Sequence, residues 1–298
     1  MSFSGLSDIF EGRINSGKCL DFLLSLKSPE RAREYLVERH KSVLRFVNSY
    51  ERMAEKWKSY PTASVAMNVK PVLDNDLSNP EFTGKLAEKL SFDISRFTDY
   101  IEGYARVAEN IKPVMLHYAM IYLLDFFSRT WLKYGQNMSH GVKMIQQKEE
   151  QTVLDARVKI LEKGIFPRAV EAFFVMNQSS LFSNDDNDGI SHWITADGTT
   201  YPERFLKLRC SKTPQAKFGD LLDLYKKMRS IEGKYITVAN KILTGYLLLF
   251  SASSISRYNA KDWFTIQNDR NLSNRIELLN YDFISDWIPE LLLQTSLK

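Results

Sequence analysis

Two stretches of the chain are apolar almost without interruption. Residues 114–127 form the first, inside a predicted helix that begins near Pro113 and ends at about Tyr134, before Gly135. The second runs from Ile242 to Ser256, inside a predicted helix over 234–256. Because a helix that is apolar all round must be covered by other helices, both stretches are expected at the centre of a helical bundle.

Apolar positions spaced by three and four predict further helices around this centre. Ser28, Pro29 and Glu30 form a typical helix start, and the apolar stripe that follows continues to about Tyr60. Prolines and asparagines mark residues 61–82 as a connection. The remaining predicted helices cover 83–104, 147–163 and 217–230, and a last segment over 281–296 is interrupted by Pro289.

One segment departs from the helical pattern. Around Asp197 and Gly198 the residues are β-branched and aromatic, which predicts a small inserted β-hairpin near 191–210. The predicted fold is therefore mainly α, a helical bundle around two buried apolar helices with one hairpin. Its predicted organisation is an N-terminal helical segment over 1–60, the connection over 61–82, and a helical core over 83–298, or one continuous domain.

Motifs for cofactors, metals and membranes are missing from the sequence. It contains no GxGxxG, GxxxxGK[ST] or GxSxG pattern, and its two cysteines and four histidines show no paired spacing. The acidic loop after Asn184 has Thr195 where a calcium loop has glutamate, which favours a solvated turn. We expect no cofactor and no metal. The uncharged run Ile242–Ser256 is too short to span a bilayer, and the first residues do not resemble a secretory signal, so a cytoplasmic protein is expected.

Arg33 and His40 are the candidate catalytic residues. Their R-x6-H spacing places them two turns apart on one face of the predicted helix. There a histidine can act as general base on a ribose 2′-hydroxyl, while an arginine stabilises the charge on the phosphate. His40 also lies on the apolar stripe of this helix, where a hydrogen-bonded core histidine is the alternative.

A polar stripe runs along the first apolar helix, because its members lie at multiples of four residues: His117, Asp125, Arg129 and Lys133. It is interpreted as a salt-bridged stripe that orients neighbouring helices, with a ligand pocket as the alternative. Two further binding candidates are His140, which either caps a helix, binds a phosphate or does neither, and Arg257. For Arg257 we expect contacts to carboxylates or carbonyls at the end of an adjacent helix.

Charge is divided sharply in the second half of the chain, although the net charge of the whole is only +4. Residues 169–203 contain six acids and no Lys or Arg, whereas residues 204–234 contain nine bases and three acids, a local charge of 9 − 3 = +6. The candidate binding residues in this stretch are Lys207, Arg209, Lys226 and Arg229. They either contact a nucleic-acid backbone or an acidic protein surface, or are neutralised by the acidic stretch before them.

Three segments together resemble the YaaC-like family of bacteria and archaea. They are PVMLHYAMIYLLDFFSRTWLKYGQNMSHGVKM at 113–144, VKILEKGIFPRAVEAF at 158–173, and GYLLLFSASSISRYNAKDW with the later IPELLLQ at 245–263 and 288–294. The resemblance covers most of residues 110–298. It transfers no biochemical activity, because none is settled for this family.

Residues 118–141 are also similar to part of HEPN domains, helical bundles found in ribonucleases, toxins and defence proteins. This resemblance implies a prokaryotic complex in antiviral defence or stress response. We expect a non-catalytic helical interaction subunit that binds a protein partner. Self-association of this chain is compatible with the same expectation. The alternative is a metal-independent HEPN-type ribonuclease that uses Arg33 and His40.

Overall fold

The computed structural model describes residues 16–38, 72, 74–133, 139–145, 151–161, 163–181, 215–230 and 238–295. As predicted, the fold of these residues is mainly helical. The helices are α1 (Ser16–Ser25), α2 (29–38), α3 (Asp74–Leu77), α4 (Pro80–Tyr104), α5 (Lys112–Trp131), α6 (Ile165–Leu181), α7 (Phe218–Met228), α8 (Val238–Tyr258), α9 (Ala260–Asn268), α10 (Arg270–Asp282) and α11 (Ile288–Thr295).

The two apolar helices lie at the centre of the bundle, as the sequence predicts. Helix α5 packs against α4, α6 and α8, and α8 packs in addition against α7. Between Val238 and Ile255 every residue of α8 except Lys241 is buried. Gly245 lets the π-helical turn Phe283–Trp287 approach α8 closely, since a Cβ at this position would lie 1.7 Å from the Phe283 ring.

Helix α8 is longer than the uncharged run that lies within it. By length and composition its 21 residues pass as a candidate membrane-spanning helix, although the uncharged run Ile242–Ser256, to which the expectation applies, is shorter. However, 94% of its most apolar window is buried inside the protein, as in the core helix of a soluble protein. The cytoplasmic location remains a prediction.

A small antiparallel sheet lies beside the helices, in the order β1 (Val142–Ile145), β2 (Arg157–Ile160) and β3 (Gln215–Lys217). The predicted helix over 147–163 is therefore wrong, because β2 and the short 3-10 turn Val153–Asp155 occupy the second half of this range. Val158 and Ile160 are buried and Arg157 is exposed, which is the two-residue period of a strand. The predicted hairpin near 191–210 lies outside the described residues.

Two helix boundaries differ from prediction because of prolines. Asn79 and Pro80 belong to the start of α4 rather than to a connection that ends at residue 82. The Asn79 side chain accepts hydrogen bonds from the backbone N–H groups of Glu81 and Phe82, and Pro80 occupies the first helical turn. Near the C-terminus, α11 begins at Ile288, directly after the π-helical turn. Pro289 lies in the first turn of α11, where proline is tolerated, so the chain stays helical to Thr295.

Candidate functional site

The segment from Ser139 to Gly141 is fixed against the start of α6. The carbonyls of Ser139 and His140 accept hydrogen bonds from the N–H groups of Ile165 (2.9 Å) and Phe166 (3.2 Å), which begin that helix. Gly141 has a φ of +74°, and a Cβ on Gly164 would lie 2.3 Å from the Gly141 nitrogen. Only glycine therefore fits at this contact, and the backbone of His140 has little freedom to move.

This backbone places the His140 ring against His117 of α5. The two ring centroids are 5.3 Å apart, and Tyr246 of α8 donates its hydroxyl to the His140 carbonyl at 3.1 Å. His117 is fully buried, among the rings of Tyr118, Tyr246 and Phe250 as well as His140. Within the described part of the chain, neither ring nitrogen of His117 has a hydrogen-bond partner, and neither does the buried Nδ1 of His140. Buried polar atoms without partners are uncommon in a folded protein.

Burial and the charge of Arg257 lower the pKa of both imidazoles, which favours their neutral forms. Burial lowers the pKa of His117 well below 6.5, and His140 and Arg257 lower it further. Burial also lowers the pKa of His140, with a further contribution from the charge of Arg257. A neutral imidazole offers one N–H donor and one nitrogen acceptor. The pair therefore offers hydrogen-bonding groups in an environment that disfavours a further positive charge.

Arg257 completes this group at the end of α8. Its Nε donates to the Ser253 carbonyl at 3.1 Å, and Nη1 donates to the Tyr118 hydroxyl at 3.4 Å. The expected contacts at the end of an adjacent helix are therefore wrong: the carbonyl belongs to its own helix and the second partner is a tyrosine of α5. Within the described part of the chain, no carboxylate lies within ion-pair distance of Arg257. We call His117, Tyr118, His140 and Arg257 the histidine cluster.

The other polar residues of α5 form a different structure. The Arg129 guanidinium donates to Asp93 of α4 at 2.8 Å and to Asp125, and Arg168 of α6 lies 3.7 Å from the second Asp125 oxygen. The predicted salt-bridged stripe is thus confirmed for Asp125 and Arg129, and Lys133 extends it by pairing with Asp76. We call Asp93, Asp125, Arg129 and Arg168 the ionic network. It joins three helices.

The candidate catalytic pair cannot be assembled from the described residues. Arg33 is exposed on α2 and lines an open groove with Val37 and three acids, Glu30, Glu34 and Glu38. His40 lies outside the described residues. The three carboxylates give the groove a negative charge, which disfavours a phosphate.

The basic candidates are also divided between described and undescribed residues. Lys226 and Arg229 are exposed at the end of α7, and Arg229 pairs with Asp282 at 3.4 Å. Lys207 and Arg209 lie outside the described residues. Binding of an acidic surface or a nucleic acid by these four residues remains a prediction.

Sequence reasoning missed the aromatic partners of the histidine cluster and an exposed corner beside it. Tyr258 ends α8 and is 79% exposed, and Phe264 on α9 is 68% exposed. Trp263 and Ile266 bury the opposite side of α9. Trp263 and Ile266 are three residues apart and share one side of α9, whereas Phe264 falls on another side. This spacing could have indicated an outward aromatic ring. Tyr118 and Tyr246 lie on apolar helices, where nothing in the sequence separates them from core residues.

Comparison with known proteins identifies a family. The family model described as YaaC-like protein matches residues 27–184, which is more than half of the chain. The match begins well before residue 110, and it ends before the Ser-rich helix and the Pro289 segment that we also attributed to this family. No curated protein and no solved structure matches the chain. By its family model, the chain belongs to the YaaC-like protein family.

Proposed function

We propose that the protein is a non-catalytic interaction subunit of a prokaryotic complex, and that it contacts its partner through Tyr258 and Phe264. The observation that supports this proposal is the exposure of these two aromatic side chains at the corner between α8 and α9. We call this pair the aromatic corner. A role in antiviral defence or stress response is part of the same proposal and rests on the HEPN resemblance.

The aromatic corner has the properties of a protein contact. Exposed aromatic side chains supply a large contact area with few rotatable bonds, and they are enriched where proteins bind one another. The buried side of α9 already packs through Trp263 and Ile266. Phe264 can therefore contact a partner without any loss of packing in the core.

The test is purification of the tagged full-length protein from its native host, followed by mass spectrometry. We compare the wild type with the double variant Tyr258→Ser/Phe264→Ser. The matched control is Leu278→Ser, since Leu278 is 43% exposed on α10. We expect a stoichiometric protein partner with the wild type and the control, and at least a tenfold lower recovery with the double variant, because loss of two anchors costs several kcal/mol. Equal recovery with all three proteins contradicts the proposal.

The alternative function is a metal-independent ribonuclease that uses Arg33 and His40. Its support is the resemblance to HEPN domains and the exposure of Arg33 on α2, although the carboxylates of Glu30, Glu34 and Glu38 in the same groove disfavour a phosphate. The purified protein is incubated with mixed RNA in the presence of EDTA. Cleavage that is lost in folded His40→Ala establishes the nuclease; intact RNA with the wild type rejects it.

A further inference from the structure

We propose that Tyr118, His140 and Arg257 form a binding site for a phosphate group. This inference goes beyond the interaction subunit. Tyr258 of the aromatic corner also touches the site, since its ring lies 4.9 Å from the Arg257 guanidinium carbon, but it is not one of the three proposed ligand-binding residues. It concerns a small ligand held at the junction of α5, the segment before β1, and the end of α8.

The first argument is the balance of charge. Arg257 is a half-buried cation whose polar contacts within the described residues are one carbonyl and one tyrosine hydroxyl. The charged group that acts on both imidazoles is Arg257, and no carboxylate contributes to either pKa shift. A half-buried guanidinium is stable when an anion compensates its charge. The rings of Tyr118 and Tyr258 lie 5.8 Å and 4.9 Å from the Arg257 guanidinium carbon and compensate part of its charge, but no anion does so within the described part of the protein.

The second argument is the set of unused hydrogen-bonding groups. Arg257 has five N–H donors, of which the described contacts use two, and Tyr118 accepts from Arg257 while keeping its own hydroxyl proton. The His140 ring lies 6.3 Å from the Tyr118 ring, between centroids, and its buried Nδ1 has no partner among the described residues. His117, whose ring is 5.3 Å from that of His140, is fully buried, and neither of its ring nitrogens has a partner there either. Polar groups from three elements therefore lie next to one another.

The third argument distinguishes phosphate from a carboxylate. A carboxylate is planar and is satisfied by the fork of one arginine, whereas a phosphate presents three or more oxygens in different directions. Guanidinium, phenol and imidazole donors that come from three separate elements suit the second geometry. Four hydrogen bonds to the backbone carbonyls of residues 139–141 fix the backbone from which the His140 ring extends: three come from the N–H groups of Ile165, Phe166 and Leu161, and one comes from Tyr246. Such fixed donors are typical of a binding site rather than of an adaptable surface.

The test uses the full chain and inorganic phosphate, with the imidazole signals followed by long-range ¹H–¹⁵N NMR. The chain has only four histidines, so each signal can be assigned by single substitution. We expect saturable shifts of the His140 and His117 signals and none at His192. Arg257→Gln should raise the Kd about tenfold or more, because a charged hydrogen bond contributes that factor. Tyr118→Phe keeps the aromatic ring and removes only the hydroxyl, so it should raise the Kd by a smaller factor.

The matched control is Arg275→Gln, since Arg275 pairs with Asp223 on another face and should leave the Kd unchanged. If Arg257→Gln unfolds the protein, Arg257→Lys retains the charge without the fork and should still weaken binding. The same titration is repeated with acetate and with chloride at equal ionic strength, to show whether the shifts are specific to phosphate. Shifts that fail to saturate, that acetate reproduces at the same concentration, or that persist unchanged in folded Arg257 variants overturn the proposal.

Discussion

Helix α5 carries buried polar side chains at both ends, the histidine cluster toward its start and the ionic network toward its end. In the ionic network each charged group has a partner of opposite sign, and Arg129, Asp93 and Asp125 are nearly inaccessible. In the histidine cluster the buried nitrogens of His117 and His140 have no hydrogen-bond partner among the described residues. Both regions lie on α5, but every member of the ionic network is buried and in an ion pair, whereas Tyr118, His140 and Arg257 are half-buried and His117 has neither an ion pair nor a hydrogen bond among those residues.

This difference separates a structural role from a binding role. Burying a charge costs several kcal/mol unless it is paired, so the complete pairing around Arg129 is what the fold requires in order to join α4, α5 and α6. Buried nitrogens without partners lower stability and persist where a ligand or a function compensates them. The histidine cluster is therefore the better candidate for a site, although the ionic network contains more charge.

The largest expected effect comes from breaking the ionic network. Arg129→Met leaves Asp93 and Asp125 buried without their main cation, and we expect the free energy of unfolding to fall by about 3–5 kcal/mol. Urea denaturation followed by circular dichroism measures it. The control is Arg96→Met, because Arg96 is half exposed and 3.8 Å from Asp99, where such pairs contribute less than about 1 kcal/mol. Similar losses in both variants would show that the network is not a buried structural unit.

The second prediction uses pH, because the two regions respond in opposite directions. Burial, which outweighs the attraction of Arg129, raises the pKa of Asp93 from 3.8 to about 7. The folded state then binds this proton more tightly than the unfolded state, so this contribution to stability is lost as the pH rises from 4 to 7. The pKa of His117 is lowered below 6.5, so its contribution is lost as the pH falls below 6.5.

Single variants separate these two pH dependences of stability. One group changes the free energy of unfolding by at most about 1.4 kcal/mol per pH unit. Asp93→Asn should remove the loss of stability at rising pH, and His117→Phe should remove the loss at falling pH. The measurement is the urea midpoint across the pH range. Profiles of both variants that stay parallel to the wild type would assign the pH dependence to other groups.

The third prediction compares His117 of the histidine cluster with the neighbouring ring of Tyr246, which is not a member of that cluster. His117→Phe replaces an imidazole without partners by an apolar ring among aromatic neighbours, and it should raise the free energy of unfolding by about 1 kcal/mol at neutral pH. Tyr246→Phe removes a hydroxyl that donates to the His140 carbonyl, and it should lower the same quantity by about 1 kcal/mol. Thermal unfolding of both variants decides it. Destabilisation by His117→Phe would mean that the imidazole already has a structural partner.

The smallest expected change in the free energy of unfolding is at Lys133, the exposed end of the polar stripe on α5. Lys133→Met removes a cation whose side chain is 45% exposed beside Asp76, and the loss should stay below about 1 kcal/mol. Urea denaturation is again the measurement. A loss close to that of Arg129→Met would remove the distinction between buried and exposed members of the stripe.

Sequence reasoning located the members of both regions on α5 but not their partners. The spacing of four between Asp125 and Arg129 is visible in the sequence, whereas Asp93 is 36 residues away from Arg129 on another helix. Likewise His117, His140 and Arg257 were each singled out, but for separate reasons, and nothing in the sequence brought them together. The prediction of a helix over 147–163 was wrong because Val158 and Ile160 become strand residues only beside β1 and β3.

The mainly helical class, the central position of α5 and α8, and the polar stripe can be read from the residues alone, because helical periodicity is a local property of the backbone and of neighbouring side chains. Which buried polar groups are paired becomes visible only in the folded protein. Pairing depends on which helices meet, and that is set by the packing of whole apolar faces rather than by any short motif. The Gly141 and Gly164 contact shows the same dependence, since it joins two turns whose proximity arises from folding.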